Sequence, residues 1–240
     1  TLSGVSFQIP EPQLDGQALP VVVGPFGGGV SGEFIHACGD PVNPGYWYWT
    51  NGNDPESVGD ANYLELCDPS EVLMSGGVLD GIVYAFSNAR SWRILPSFTG
   101  GQSGGGSDFY AQQTAIGKGL ASRWGLAIGD QIYFVSFDGI YSTKGDVPHS
   151  LTDDSLAPIF RRDGSSYNAT TIGGLAPISF SDADAKYISL TYSKDGLYFT
   201  YKGLDGNSYN LYYSFLTQGW IYDTFTPGAL RMFREEGLQV

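Results

Sequence analysis

The chain has 240 residues, 42% of them apolar and 15% aromatic, so it can bury a sizeable core and is not a disordered polymer. A net charge of −13 and a pI near 4.3 repel phosphate backbones and argue against sequence-specific reading of nucleic acid. No apolar run approaches the roughly eighteen residues of a membrane helix, and the cysteines Cys38 and Cys67 are too few for a disulfide framework; a single bridge or two free, buried thiols fit the pair, the thiols being the favoured reading.

The chain opens TLSGVSFQIP, with neither an initiator Met nor a signal-peptide pattern, which reads as a fragment or a processed chain; residues 1–29 read as an irregular N-terminal or partial-blade segment. Gly27, Gly29 and Gly32 spell G-x-G-x-x-G after a strand-like PVVVG. A dinucleotide site needs a helix to begin there. EFIHACGDP reads instead as a strand ending at a turn, so the glycines are a connection. GEFIHACGDPVNPGYWYWTNG, residues 32–52, is a first, weak hairpin. DPSEVLMSGG could give one helical turn, with Asp68 placed as an N-cap. LDGIVYAFSNARSWRIL, residues 79–95, is strand, turn, strand.

TGGQSGGGSD, residues 99–108, has the composition of a flexible loop. Within it, Gly101–Gly105 matches the nucleophile-elbow pattern around Ser103. An elbow needs a strand before and a helix after, whereas Pro96 interrupts the approach and His149 is the only later histidine. Gly117–Gly119 lacks the Ser or Thr of a phosphate loop. DQIYFVSFDGIYSTKG, residues 130–145, is a further hairpin. Ile132, Phe134 and Ser136 share one strand face and Tyr133, Val135 and Phe137 the other, so both faces are expected to be buried. Asp138-Gly139 follows, a pair suited to a primed turn.

DDSLAPIFRR could give another helical turn, capped by Asp153. Oxygen clusters at Thr152–Ser155 and Ser181–Lys186 invite calcium but lack EF-hand spacing, and turn capping is the simpler reading. His36 and His149 have no ligand-spaced cysteine, so no metal site is assigned. Asn168–Thr170 is a glycosylation sequon, relevant only in a eukaryotic secretory setting. KDGLYFTYKGLDGNSYNLYYSF, residues 194–215, repeats the hairpin phrase. Asp60, Asp80, Asp130, Asp138 and Asp195 fall at turns or strand ends, where an acid pair for glycoside hydrolysis could sit; their Asp-Gly contexts argue for turn chemistry. No catalytic, cofactor-binding or metal-binding residue is assigned.

Aligning Ile35, Val83, Ile132 and Leu197 gives spacings of 48, 49 and 65 residues. A strand-rich period near fifty, with aromatics in each unit, predicts an all-β fold: a β-propeller of about four to five small antiparallel blades, possibly a fragment of a larger one. The expected blades cover residues 30–78, 79–128, 129–185 and 186–235 of a single domain over 1–240. Trp47, Trp49, Trp92, Trp124 and Trp220 are read as packing between blades. Phe98–Gln112 and Arg161–Ala176 interrupt the repeat and are the expected contact loops.

A longer pattern is more specific. It runs from Tyr48–Asn51 through the Asp54–Ser57 turn and Asn62–Leu66 to Gly81–Phe86 and Trp92–Ile94. IGKGLASRWGLAIGDQIYFVSFDGIYSTKG and YNLYYSFLTQGWIYDTF follow in order. This order resembles the β-propeller virion proteins of tailed bacteriophages, of the tail tubular or nozzle type, over about residues 45–225. The resemblance implies a non-enzymatic structural component of the virion, made in the host cytoplasm, without cofactor. It implies an oligomeric ring around the genome-exit channel, touching copies of itself and other tail or portal-adaptor proteins. DNA would pass transiently, and an acidic wall would not hold it. Two rival readings are a carbohydrate-binding propeller for receptor recognition, with exposed Trp and Tyr beside Asp or Asn, and a glycoside hydrolase.

Overall fold

The computed structural model describes residues 21–27, 33–51, 58–68, 70–97, 109–160 and 169–223. These form an all-β chain of four four-stranded antiparallel sheets. The first holds β1 (Val21–Gly27), β2 (Glu33–Cys38), β3 (Tyr46–Trp49) and β4 (Tyr63–Glu65). The second holds β5 (Leu73–Leu79), β6 (Ile82–Ser87), β7 (Ser91–Pro96) and β8 (Phe109–Gln113). The third holds β9 (Leu126–Ile128), β10 (Ile132–Ser136), β11 (Gly139–Thr143) and β12 (His149–Ser150). The fourth holds β13 (Ser189–Ser193), β14 (Gly196–Lys202), β15 (Ser208–Ser214) and β16 (Gly219–Asp223). In every sheet the spatial order follows the chain, so each is a meander, the blade module of a β-propeller.

The four residues aligned from the sequence lie on β2, β6, β10 and β14, the second strand of each sheet. Relative to these sheets, the expected blade starts at 30, 79 and 129 fall one strand late, whereas the blade expected over 186–235 holds β13 to β16 whole. β1 falls within the segment expected to be irregular, β5 within the first expected blade, and β9 within the second. These opening strands are inconspicuous for physical reasons: β5 carries Gly76 and Gly77 in its middle, and β9 is three residues long.

Chain contacts define two compact units. One comprises residues 1–120 with 144–147, and the other residues 121–143 with 148–240. Each has its own core. In the first unit, Phe34, Cys38, Trp47, Trp49, Val83, Ala85, Trp92 and Phe109 pack together. The Trp47 ring lies over Gly76, where a Cβ would come within 2.5 Å of both that ring and the Tyr84 carbonyl. Glycine here makes room for the indole. In the second unit, Tyr133, Val135, Ile140, Ile159, Phe160, Ile178, Leu197, Phe199, Tyr201 and Leu211 form the centre. All five residues of β10 are buried, so the expectation for both its faces holds.

Several local expectations are corrected. DPSEVLMSGG gives β5 rather than a helical turn, because Leu73, Ser75 and Gly77 alternate into buried positions at strand period. The other expected turn is a short 3-10 helix, Ala157–Ile159, with no side-chain cap. One α-helical turn, α1 (Asp182–Ala185), appears where a plain turn was expected. Trp124 is 42% exposed and is not a packing residue of the core; Trp47, Trp49 and Trp92 are buried.

Asp138-Gly139 is not the centre of its turn. Ser136 pairs with Gly139, so Phe137 and Asp138 make the loop, and neither has a positive φ. Gly139 begins β11 because a Cβ there would meet Thr152 Oγ1 at 2.7 Å. Asp80-Gly81, by contrast, forms a primed turn, with φ of 50° and 78° between paired Leu79 and Ile82. Residues 98–108 and 161–168 of the expected contact loops lie outside the described residues, as do Ser103, Gly29, Gly32, Asp54–Ser57 and Asn168. Phe109–Gln112 belong to β8, and Leu175 and Ala176 are buried.

Candidate functional site

Several polar side chains buried in the first unit answer one another, while the buried Trp49 Nε1 and Arg93 Nε atoms have no hydrogen-bond partner among the described residues. Trp47 Nε1 donates to His36 Nδ1 at 3.0 Å, which requires an unprotonated Nδ1. His36 is 1% exposed, and burial lowers its pKa from 6.5 to about 3, so the imidazole is neutral. Glu71 sits between the Arg90 guanidinium, which grips it through Nε and Nη2, and the Ser87 hydroxyl. Burial pushes the Glu71 carboxyl up, but hydrogen bonds from Arg90 and Ser87 outweigh it and hold the group below its usual range. Tyr48 Oη donates to Asp40 at 2.7 Å, and the Tyr46 and Tyr63 rings stack at 4.8 Å on a partly exposed face of the first sheet.

The second unit contains a pocket of about 200 Å³ between its third and fourth sheets. Strand register builds one wall. Tyr133 on β10 pairs with Ser142 on β11, which pairs with His149 on β12, so the three side chains lie in one cross-strand row. Gln131 precedes Tyr133 by two residues and Leu151 follows His149 by two, which sets both along that same face. The β15–β16 hairpin supplies the other wall: Tyr213, Phe215 and Gln218. Trp220 Nε1 donates to the Leu151 carbonyl at 2.8 Å and ties this hairpin to the end of β12.

Aromatic faces and polar tips divide the lining. Tyr133 stacks on Phe215 with ring centroids 5.5 Å apart, and Phe215 meets Tyr213 edge-on at 6.1 Å. Tyr133 Oη donates to Asp130 at 2.8 Å; burial, then this carboxylate, raises its pKa, so the phenol stays protonated. Burial also raises the Tyr213 pKa. Gln131, Ser142, His149 and Gln218 make no side-chain hydrogen bond among the described residues. Ser142 is only 7% exposed.

The other candidates from the sequence are dispersed. His36 is structural in the first sheet, whereas His149 is exposed and lines the pocket. Asp184 accepts from Ser179, Ser181 and Lys202, which lower its pKa to about 2, so that oxygen cluster is spent on protein donors. Asp60, Asp80, Asp130 and Asp195 are exposed, and Asp138 is half-buried. Cys38 and Cys67 are buried and form no disulfide, and burial raises the Cys67 pKa to about 11. Sequence reasoning did not find the pocket, because register across three strands and a hairpin from the next sheet assemble it.

No family model and no curated protein matches the chain. Among solved structures, it is similar to a mutant of Aleuria aurantia lectin in complex with Fucalpha1-6GlcNAc, at 11% sequence identity and a TM-score of 0.37. The match covers 84% of this chain and 55% of that one, so the chain spans about half the length of that lectin.

Proposed function

We propose that the chain is a carbohydrate-binding module whose second unit holds one neutral sugar ring. The observation that carries this is the pocket lining: the rings of Tyr133, Tyr213 and Phe215 stand beside the polar side chains of Gln131, Ser142, His149 and Gln218, which make no side-chain hydrogen bond among the described residues. A sugar ring has an apolar C–H face and a hydroxyl edge. The first suits aromatic rings, and the second suits the amides of Gln131 and Gln218, each of which both donates and accepts. At about 200 Å³ the pocket is smaller than the ~300 Å³ lower range of drug-sized sites, which matches a single ring. Its lining among the described residues includes no carboxylate, which favours binding over a hydrolysis that needs two. A glycan array probed with the full chain tests this. Selective retention of a few neutral glycans is expected, and an array without selective binding would remove the reading.

A structural role in a phage virion is a second reading, which rests on the order of the family-like words in the sequence. In chain order those words overlap the strands Tyr46–Trp49, Tyr63–Glu65, Ile82–Ser87, Ser91–Pro96, Ile132–Ser136, Gly139–Thr143, Ser208–Ser214 and Gly219–Asp223, with other strands between them. A tail component that recognises a host-surface sugar would satisfy both readings. Mass spectrometry of purified particles separates them: recovery of this chain in a virion supports the structural role, whether or not the array is positive.

A further inference from the structure

Two non-glycine residues among those described have a positive φ, Asp80 at 50° and Gln218 at 51°. A left-handed backbone disfavours side chains with a Cβ, and Asn, Asp and Gly are the usual occupants. Asp80 is such a residue, and the primed turn between β5 and β6 requires its conformation. Gln218 is not. It closes the four-residue loop between paired Ser214 and Gly219, with its N–H donating to the Ser214 carbonyl at 2.8 Å. A glycine is available one position later, at Gly219, where φ is not positive and a Cβ would meet nothing nearer than 3.7 Å. The hairpin thus places glycine where any residue fits and glutamine where glycine would be favoured.

We propose that Gln218 is the specificity-determining residue of the pocket in the second unit. The left-handed turn holds its amide over the rim, where it reads an adjacent pair of ligand hydroxyls, donating to one and accepting from the other. The inference rests on the sugar-binding reading above. It adds that stability is given up at this one position for the sake of recognition, as strained residues at binding sites commonly show. Nothing else in the hairpin calls for glutamine: its side chain makes no hydrogen bond among the described residues, and it is exposed. Phe215 and Trp220 already anchor the hairpin, by stacking on Tyr133 and by bonding to the Leu151 carbonyl.

The test uses the full chain and two variants, Gln218→Gly and Gln218→Asn, with melting temperature and sugar affinity measured on each. The probes are free monosaccharides differing in the configuration of one hydroxyl. Gln218→Gly is expected to melt about 2–4 °C higher, because it relieves the left-handed strain. It should bind the preferred sugar at least tenfold more weakly and discriminate less among epimers. Gln218→Asn, which tolerates the turn but carries a shorter amide, should keep the stability gain and lose affinity. Wild-type affinity and discrimination in Gln218→Gly would overturn the inference and leave the sugar-binding reading standing, as would a lower melting temperature for the strain argument. A wild-type chain that binds no monosaccharide would overturn both.

Discussion

Ser87 and Ser142 are buried serines on inner strands of their sheets, β6 and β11, yet their circumstances are opposite. Ser87 donates to Glu71 and accepts from the N–H groups of Ala89 and Arg90 at 3.0 and 2.8 Å. Its hydroxyl knots the β6–β7 turn to a carboxylate that Arg90 holds from the other side. Ser142 makes no side-chain hydrogen bond among the described residues and lines a pocket. The first unit spends these polar groups on holding itself together, while in the second four pocket side chains make no side-chain hydrogen bond among the described residues. That difference separates a scaffold from a binding surface more clearly than composition or charge does.

The comparison can be broken most directly by the same substitution in both places. Ser87→Ala should destabilise the protein by about 2 kcal/mol, since it removes a charge-assisted hydrogen bond and strands two backbone donors. Chemical denaturation of the full chain measures this. Glu71→Ala should cost a similar amount, about 2 kcal/mol, below the usual figure for a broken buried pair because the Arg90 side chain is 40% exposed. Values near zero for either would mean that the network holds nothing.

A pH series sharpens the same contrast. The folded His36 takes a proton only near pH 3, whereas the unfolded residue does so near 6.5. Between those values the unfolded state binds the extra proton, so stability should fall as pH drops from about 6.5 toward 3. Glu71, whose folded pKa is lowered, contributes stability that is present above about 4.5 and lost as pH falls through its folded value. His36→Gln keeps an acceptor for the Trp47 N–H without titrating, and should flatten the upper part of the curve. An unchanged slope in that variant would show that other groups drive the acid response. The smallest effect is expected at Ser142. Ser142→Ala should change stability by no more than about 0.5 kcal/mol while weakening sugar binding severalfold, a split that a purely structural serine would not give.

Much of the architecture was legible in the chain. Val83, Ile132 and Leu197 sit on inner strands whose apolar faces and regular recurrence are strong signals, and they marked the same strand in each sheet. The opening strands were missed because Gly76, Gly77 and the brevity of Leu126–Ile128 erase the period-two pattern. The Asp-Gly pairs show a finer limit. Asp80-Gly81 and Asp138-Gly139 are the same dipeptide, but one fills a turn for its φ values and the other places glycine under Thr152 for space. Local sequence does not distinguish these, since the crowding atom lies thirteen residues on. The pocket is further removed still. Tyr133, Ser142 and His149 become neighbours only through pairing register, and Phe215 and Gln218 reach them from another sheet.

The most direct measurement follows the side-chain amide resonances of Gln131 and Gln218 by nuclear magnetic resonance, as neutral monosaccharides are titrated into the full chain. Saturable shifts of both amides with one sugar, reduced in Ser142→Ala, are the expected result. Amides that stay still with every sugar, or shifts confined to Tyr46 and Tyr63 on the first sheet, would contradict a binding site in the second unit.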